Sequence, residues 1–184
     1  MRITKASIYT KIIGSVRFVF LQVIYFRRFS ARGLGLVDRN CEFYIFKGGK
    51  ISFGKKVIIG KECEIQSRGE LSIGSNTVIN GFSRIVAFSG IDIGENVTIA
   101  QMCSILDHDH DYEVAPTLRL TGYSASRIQI GSNVWIGEKV TVLKGATIGD
   151  NVIIGAGSVV KKDIPSGCIA LGTPCKPIRY FEAA

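Results

Sequence analysis

The chain has 184 residues, a formal charge of +8 and a pI near 9.4, with 23 Lys and Arg against 15 Asp and Glu. That length allows one domain, or one domain with an appendage. The positive balance suits an anionic ligand or an anionic surface. It does not predict nucleic acid, because no basic stripe alternates with aromatics and no nucleic-acid motif is present.

Residues 1–40 form the first segment. Ile12, Ile13, Val16, Val19, Phe20, Val23 and Ile24 recur at helical spacing. Phe18, Leu21, Tyr25, Phe26 and Phe29 make the helix apolar nearly all round, and Lys11, Arg17, Arg27, Arg28 and Arg32 flank or interrupt it. Arg17, near the middle of the run, argues against a membrane span. Two readings stay open: a helix packed on the body or on a partner subunit, and an interfacial helix docked on a membrane. The basic start lacks a small-residue cleavage site after a clean apolar run, so no cleavable signal is expected.

From residue 41 to 170 a six-residue beat takes over. Its aliphatic positions are Phe53, Ile59, Ile65, Ile73, Ile79, Ile85, Ile93, Ile99 and Ile105, then Ile130, Ile136, Val142, Ile148, Ile154 and Val160. Gly commonly follows, where a backbone bends or approaches another closely. The fifth place is small or β-branched, as at Val57, Cys63, Thr77, Cys103, Val134 and Ala146. A fixed short period is the mark of a solenoid. Three hexads make one coil of a triangular prism, with the aliphatic residues stacked inside. The step is twenty residues from Phe53 to Ile73 and to Ile93, so those coils carry two extra corner residues; it is eighteen from Ile130 to Ile148. The fold class is all-β: a parallel solenoid with a helical amino-terminal segment, a protruding loop and a short tail at 171–184. Cys41, Cys63, Cys103, Cys168 and Cys175 form no CxxC pair and no disulfide-like spacing, which fits a reducing cytosol.

The beat breaks at 107–127. A long loop expelled from a regular scaffold is usually functional, and the chain's two histidines, His108 and His110, sit at its root between Asp107, Asp109 and Asp111. A histidine there suits general-base work, because imidazole accepts protons near neutral pH. A calcium loop is excluded: Tyr112 and Leu118 stand where Gly and Glu are needed. A solvated polar loop is the remaining reading.

The carboxy-terminal half closely resembles the galactoside and maltose O-acetyltransferases of the hexapeptide-repeat family. The shared runs are Ile130-Gly131-Ser132-Asn133-Val134-Trp135-Ile136-Gly137, Ala146-Thr147-Ile148-Gly149-Asp150-Asn151, Ile154 to Val160, Lys162 to Pro165 and Gly172 to Arg179. The resemblance implies a left-handed parallel β-helix, a hand that crossover physics alone would not favour. It implies acetyl-CoA as acyl donor with no metal, and a homotrimer with sites between subunits. It places the catalytic base at His110, which closes the third hexad, ahead of His108. Asn80 falls where the family holds the acceptor sugar, with Asp107 and His108 nearby, and Asp107, Asp109 and Asp111 are all open as the residue that orients the imidazole. Trp135 falls where a tryptophan walls the acyl tunnel. Coenzyme A contacts map to Gly137, Glu138, Ala156, Lys161, Lys162, Lys176 and Arg179; Glu138 stands where Ser is frequent.

Two departures bear on the acceptor. Nothing at residues 1–40 resembles the family's helical domain, and Phe88 replaces an Asp of the acceptor site. The expected activity is therefore acetyl-CoA-dependent O-acetylation of a sugar or surface-polysaccharide precursor, in the cytoplasm, with a peripheral position at the inner membrane face. Rival readings are N-acetylation of a nucleotide-linked amino sugar, a metal hydratase on the same prism, and a non-catalytic binding solenoid. The hydratase lacks a third histidine. The binding solenoid lacks regular outward threonine ladders.

Overall fold

The computed structural model describes residues 5–111 and 122–182. Its body is a parallel β-solenoid with three faces. Face A stacks Phe29–Ala31, Lys50–Phe53, Glu70–Ile73, Gly90–Ile93, Ile128–Ile130 and Thr147–Ile148. Face B stacks Leu36–Val37, Ile58–Ile59, Val78–Ile79, Thr98–Ile99, Trp135–Ile136 and Ile153–Ile154. Face C stacks Glu42–Ile45, Glu64–Ser67, Arg84–Ala87, Ser104–Leu106, Thr141–Leu143 and Val159–Val160. The register is that of the beat: Phe53 pairs with Ile73, Ile73 with Ile93, Ile93 with Ile130, and Ile130 with Ile148. These stacked side chains are buried and form one continuous core; each fully buried Ile stabilises by about 2 kcal/mol relative to exposure.

The corners divide the labour between glycine and asparagine. Gly74 has an ordinary φ, and a Cβ there would lie 2.3 Å from the Gly94 carbonyl oxygen of the next coil. It is therefore needed for close approach. The left-handed residue of the same corner comes two places later, at Asn76 and its equivalents Asn96, Asn133 and Asn151, with φ of 56 to 57°. Asn tolerates that region better than most side chains. Each side-chain amide also donates to the carbonyl oxygen of the next, at 3.2, 3.3 and 3.2 Å, which ties the coils along their edge.

The solenoid begins earlier than the visible beat. A helix, α1 (Lys5–Ile24), lies across its amino-terminal end, and face A already starts at Phe29. The 1–40 segment is thus a capping helix plus most of a first coil, whose irregular hexads hid its register. Phe18 of α1 is fully buried against Phe29 and Phe53, with ring centroids 5.8 and 6.0 Å away. Gly14 and Gly35 let helix and coil touch: a Cβ on Gly35 would meet the Phe18 ring at 2.5 Å. Capping of the end coil is what a solenoid requires. At the other end, Cys168–Gly172 and Cys175–Tyr180 form an antiparallel hairpin that extends face B, so the 171–184 segment is largely sheet rather than loose tail.

The loop leaves the corner between faces C and A. His108–Asp111 pairs antiparallel with Gly122–Ala125, His110 lying opposite Tyr123. Residues 112–121, Tyr112 and Leu118 among them, lie outside the described residues.

Candidate active site

The base of the loop is clamped by Asp107. Its carboxylate is fully buried and accepts three backbone N–H bonds, from Phe88 to Oδ1 and from Ser89 and Gly90 to Oδ2, each at 2.7 Å. Its carbonyl accepts the Ser126 N–H at 2.8 Å, so the two ends of the loop meet at this residue. Asp107 therefore does not reach a substrate. It braces the corner from which the histidines project.

His108 is held by stacking. Its ring lies 3.7 Å from the Phe88 ring at an interplanar angle of 4°, and Tyr123 meets Phe88 edge-on at 4.6 Å. On its other side Phe88 carries the Arg68 guanidinium, 4.8 Å from the ring centroid, and Arg68 in turn covers Phe46 at 4.4 Å. This ladder occupies the corner where the two extra residues per coil fall. His108 Nδ1 is buried without a hydrogen bond among the described residues; Asp107 Oδ1 is 3.6 Å away. Burial pushes the His108 imidazole below its ordinary pKa, and Asp107 pulls the other way with the smaller effect. The ring is neutral near neutral pH, and the pair is not an ion pair there.

His110 is exposed on the same side of the hairpin, with its ring edge-to-face to His108 at 5.9 Å and 81°. Lys144 pins the hairpin to the next coil, with Nζ 3.0 Å from Asp109 Oδ2 and donating to Ser124 Oγ at 2.6 Å. At the exit of the loop Arg127 grips Asp92 through two bonds, one of 2.9 Å and a shorter one from Nε to Oδ2. Those bonds hold the Asp92 carboxyl below its usual range. Asp107, Phe88, Lys144 and Arg127 were not recognisable as supports from sequence, because their partners lie one coil away.

The remaining expected residues sit elsewhere on the prism. Trp135 projects from face B, 54% exposed, between Thr98 and Ile153. Asn80, Gly137, Glu138 and Ala156 lie at the corner between faces B and C, where Asn80 donates through Nδ2 to the Ile99 carbonyl at 2.9 Å. Lys161 and Lys162 follow the last strand of face C and are exposed, and Lys176 and Arg179 lie exposed on the carboxy-terminal hairpin. One chain thus presents the histidines at the C–A corner, Trp135, Asn80, Gly137, Glu138 and Ala156 around face B and the B–C corner, and Lys161 and Lys162 on the last turn of the C–A corner, beyond the histidines. Among the described residues no cluster of three or more metal-ligating side chains occurs.

Comparison with known proteins decides the family. The description "Bacterial transferase hexapeptide (six repeats)" matches residues 127–162. The chain is 32% identical over 161 residues to WbbJ of Escherichia coli, a protein named for O-acetyl transfer in lipopolysaccharide biosynthesis. That match covers 78% of this chain and 81% of WbbJ. The chain belongs to the hexapeptide-repeat acetyltransferases. The galactoside O-acetyltransferase of Escherichia coli is 41% identical over 114 residues, covering 61% of this chain and 55% of that enzyme. This acetyltransferase therefore spans most of WbbJ but about half of the galactoside enzyme. AntD, an N-acyltransferase from Bacillus cereus solved with dTDP and 3-hydroxybutyryl-CoA, shares the fold with a TM-score of 0.76 and 22% identity, over 90% of this chain and 88% of its own.

Proposed function

We propose that this acetyltransferase moves an acetyl group from acetyl-CoA to a hydroxyl of a sugar or surface-polysaccharide precursor, with His110 as general base. The observation that carries the reading is the exposed His110 on a hairpin braced from beneath by Asp107 and His108. Neutral His108 places no positive charge beside it from below. His110 takes the proton as the acceptor oxygen attacks the thioester carbonyl. The tetrahedral oxyanion collapses, the C–S bond breaks, and the thiolate leaves with the proton returned by His110 as coenzyme A. Oriented N–H groups stabilise such an oxyanion.

Trp135, Gly137, Glu138 and the backbone at Ala156 would line the pantetheine arm, and Lys161, Lys162, Lys176 and Arg179 would meet the phosphates as point and forked charges. Asn80 would hold the acceptor. Because the histidines and the pantetheine contacts occupy different edges of one prism, the complete site forms between subunits of a homotrimer, a closed ring of heterologous contacts. The exposed apolar side of α1, with Val16, Phe20 and Val23, and Phe26 just beyond its end, supports a peripheral place at the inner face of the cytoplasmic membrane; no helix among the described residues is long and apolar enough to cross one. The AntD likeness favours an amide product as the second reading.

The test is acetyl-CoA turnover against a panel of surface-glycan intermediates, with product mass and alkaline lability separating ester from amide. His110→Ala should lose at least ~100-fold in kcat, the lower range of a general base, with coenzyme A affinity unchanged. Loss of turnover in His108→Ala with full turnover in His110→Ala would move the base to His108.

A further inference from the structure

Two adjoining depressions run from α1 toward the root of the loop, and their chemistry changes along the way. The first is an apolar cleft beside the helix, walled by Val19, Val23, Phe26 and Phe29. It shares Arg27 and Ser30 with the second, which continues over face A past Arg28 and Lys50 to Arg127. Arg127 stands two residues after Ala125, the partner of His108 in the hairpin.

The junction of the two depressions is mainly cationic: Arg27, Arg28 and Lys50 line it, with one carboxylate, Glu70, opposite Lys50 in register on the next strand and 3.8 Å from Arg127. Among the described residues Arg27, Arg28 and Lys50 make no ion pair. Arg27 projects from a left-handed backbone position, φ 77°, immediately after α1. Arg27 at the cleft and Arg28 and Lys50 just beyond it outnumber Glu70, so the junction favours an anion. Beyond them Ser30, Ser52 and Ser72 are in register on consecutive strands, ending at Asp92, where Ser72 Oγ donates to Oδ1 at 2.7 Å. Three strand spacings make this polar floor on the order of 14 Å long.

We propose that this track binds one phosphate-bearing amphiphile: an apolar chain in the cleft, its phosphate among Arg27, Arg28 and Lys50, and the attached polar group along the serines toward the loop. Resting on the acetyl-transfer reading, that polar group is the acceptor sugar, so the acceptor class is a sugar joined to a lipid through phosphate. Charge complementarity selects a phosphate over an uncharged head, and the cleft selects an alkyl or isoprenyl chain over a free sugar phosphate.

The probe is farnesyl phosphate, titrated calorimetrically into the full chain below its micelle concentration. The expected result is saturable binding of one molecule per chain, with farnesol and inorganic phosphate each at least tenfold weaker. Arg27→Gln with Arg28→Gln, Lys50→Gln alone, and Val23→Asp should each weaken it at least tenfold at unchanged melting temperature. All should leave acetyl transfer to a lipid-free sugar intact. Equal affinity for farnesol, indifference to these substitutions, or unsaturable uptake such as vesicles of phosphatidylglycerol would show would overturn the site. Binding of the probe by a chain that transfers no acetyl group would refute the proposed reaction while the lipid site stands; transfer without binding would do the reverse.

Discussion

At the scale of the residue, Asp107 is the part on which the loop depends. Its two oxygens accept three N–H bonds in a fully buried place. In Asp107→Asn one of those oxygens becomes an NH2 facing N–H donors. Hydrogen bonds to charged groups contribute about 1.5–3 kcal/mol each, so the variant should lose about 3 kcal/mol, a melting decrease of roughly 6–12 °C for a chain of this size. His108 makes a separate, pH-dependent contribution. Its folded pKa lies below the ordinary value because of burial, whereas an unfolded histidine titrates near ~6.5. Between those values the unfolded chain binds more protons, so stability rises with pH. The stabilisation is full above ~6.5 and is lost as pH falls through that value toward the lower, folded pKa. His108→Phe keeps a flat ring on Phe88 and removes the titration. Urea melts from about pH 7.5 to about pH 5 should show a shallower decline for the variant than for the parent chain; equal slopes would remove His108 as the cause.

At the scale of the element, α1 has two apolar sides with different work. Phe18 and Gly14 face the prism, where Phe18 closes the end of the core. Val16, Phe20 and Val23 face away from it and are more than 60% exposed. Val16→Ser with Phe20→Ser should therefore leave the melting temperature unchanged and abolish flotation with anionic vesicles; retained flotation would remove the helix as a membrane contact. How much of these elements was legible follows from which interactions obey the six-residue period. Ile73, Ile93 and Ile130 repeat in phase, so every coil from Phe53 onward could be drawn from sequence. The first coil could not, because Ala31 stands in register with Phe53 where the beat has a large side chain, and Arg32 and Asp38 stand where Gly54 and Gly60 do in the next coil. The helix was recognisable by its spacing, but which side it buries depends on Gly35, which looks like a loop residue until a Cβ is tried against Phe18. At the loop, His108 and His110 were visible as titratable groups. The ladder of Phe46, Arg68 and Phe88 beneath them was not, because it is made at corner positions outside the hexad pattern, each contact bridging 20 or more residues of chain. Phe88 registered from sequence only as a missing Asp; in the fold it is the surface on which His108 lies.

At the scale of the whole molecule, the division of the expected site between two edges of the prism is the consequential feature. His110 lies past face C toward face A, whereas Ala156 lies between faces B and C. Within one chain they belong to different corners, and a threefold ring would bring one subunit's histidine corner to its neighbour's cofactor edge. The amphiphile track on face A of the same chain then leads from the capping helix to that shared groove, which would set the lipid end of an acceptor at the membrane and its sugar at the base. Complementation tests this arrangement most directly. Subunits bearing His110→Ala and subunits bearing Ala156→Arg, each inactive alone, are co-expressed with different tags, and the mixed oligomers are isolated and assayed for acetyl transfer. If every site takes its base from one subunit and its pantetheine contact from the next, each mixed trimer, of either composition, keeps one intact site in three, and the isolated mixed oligomers should recover about a third of parental turnover. No recovery in mixed oligomers of proven composition would contradict it, and would place the whole site within a single chain.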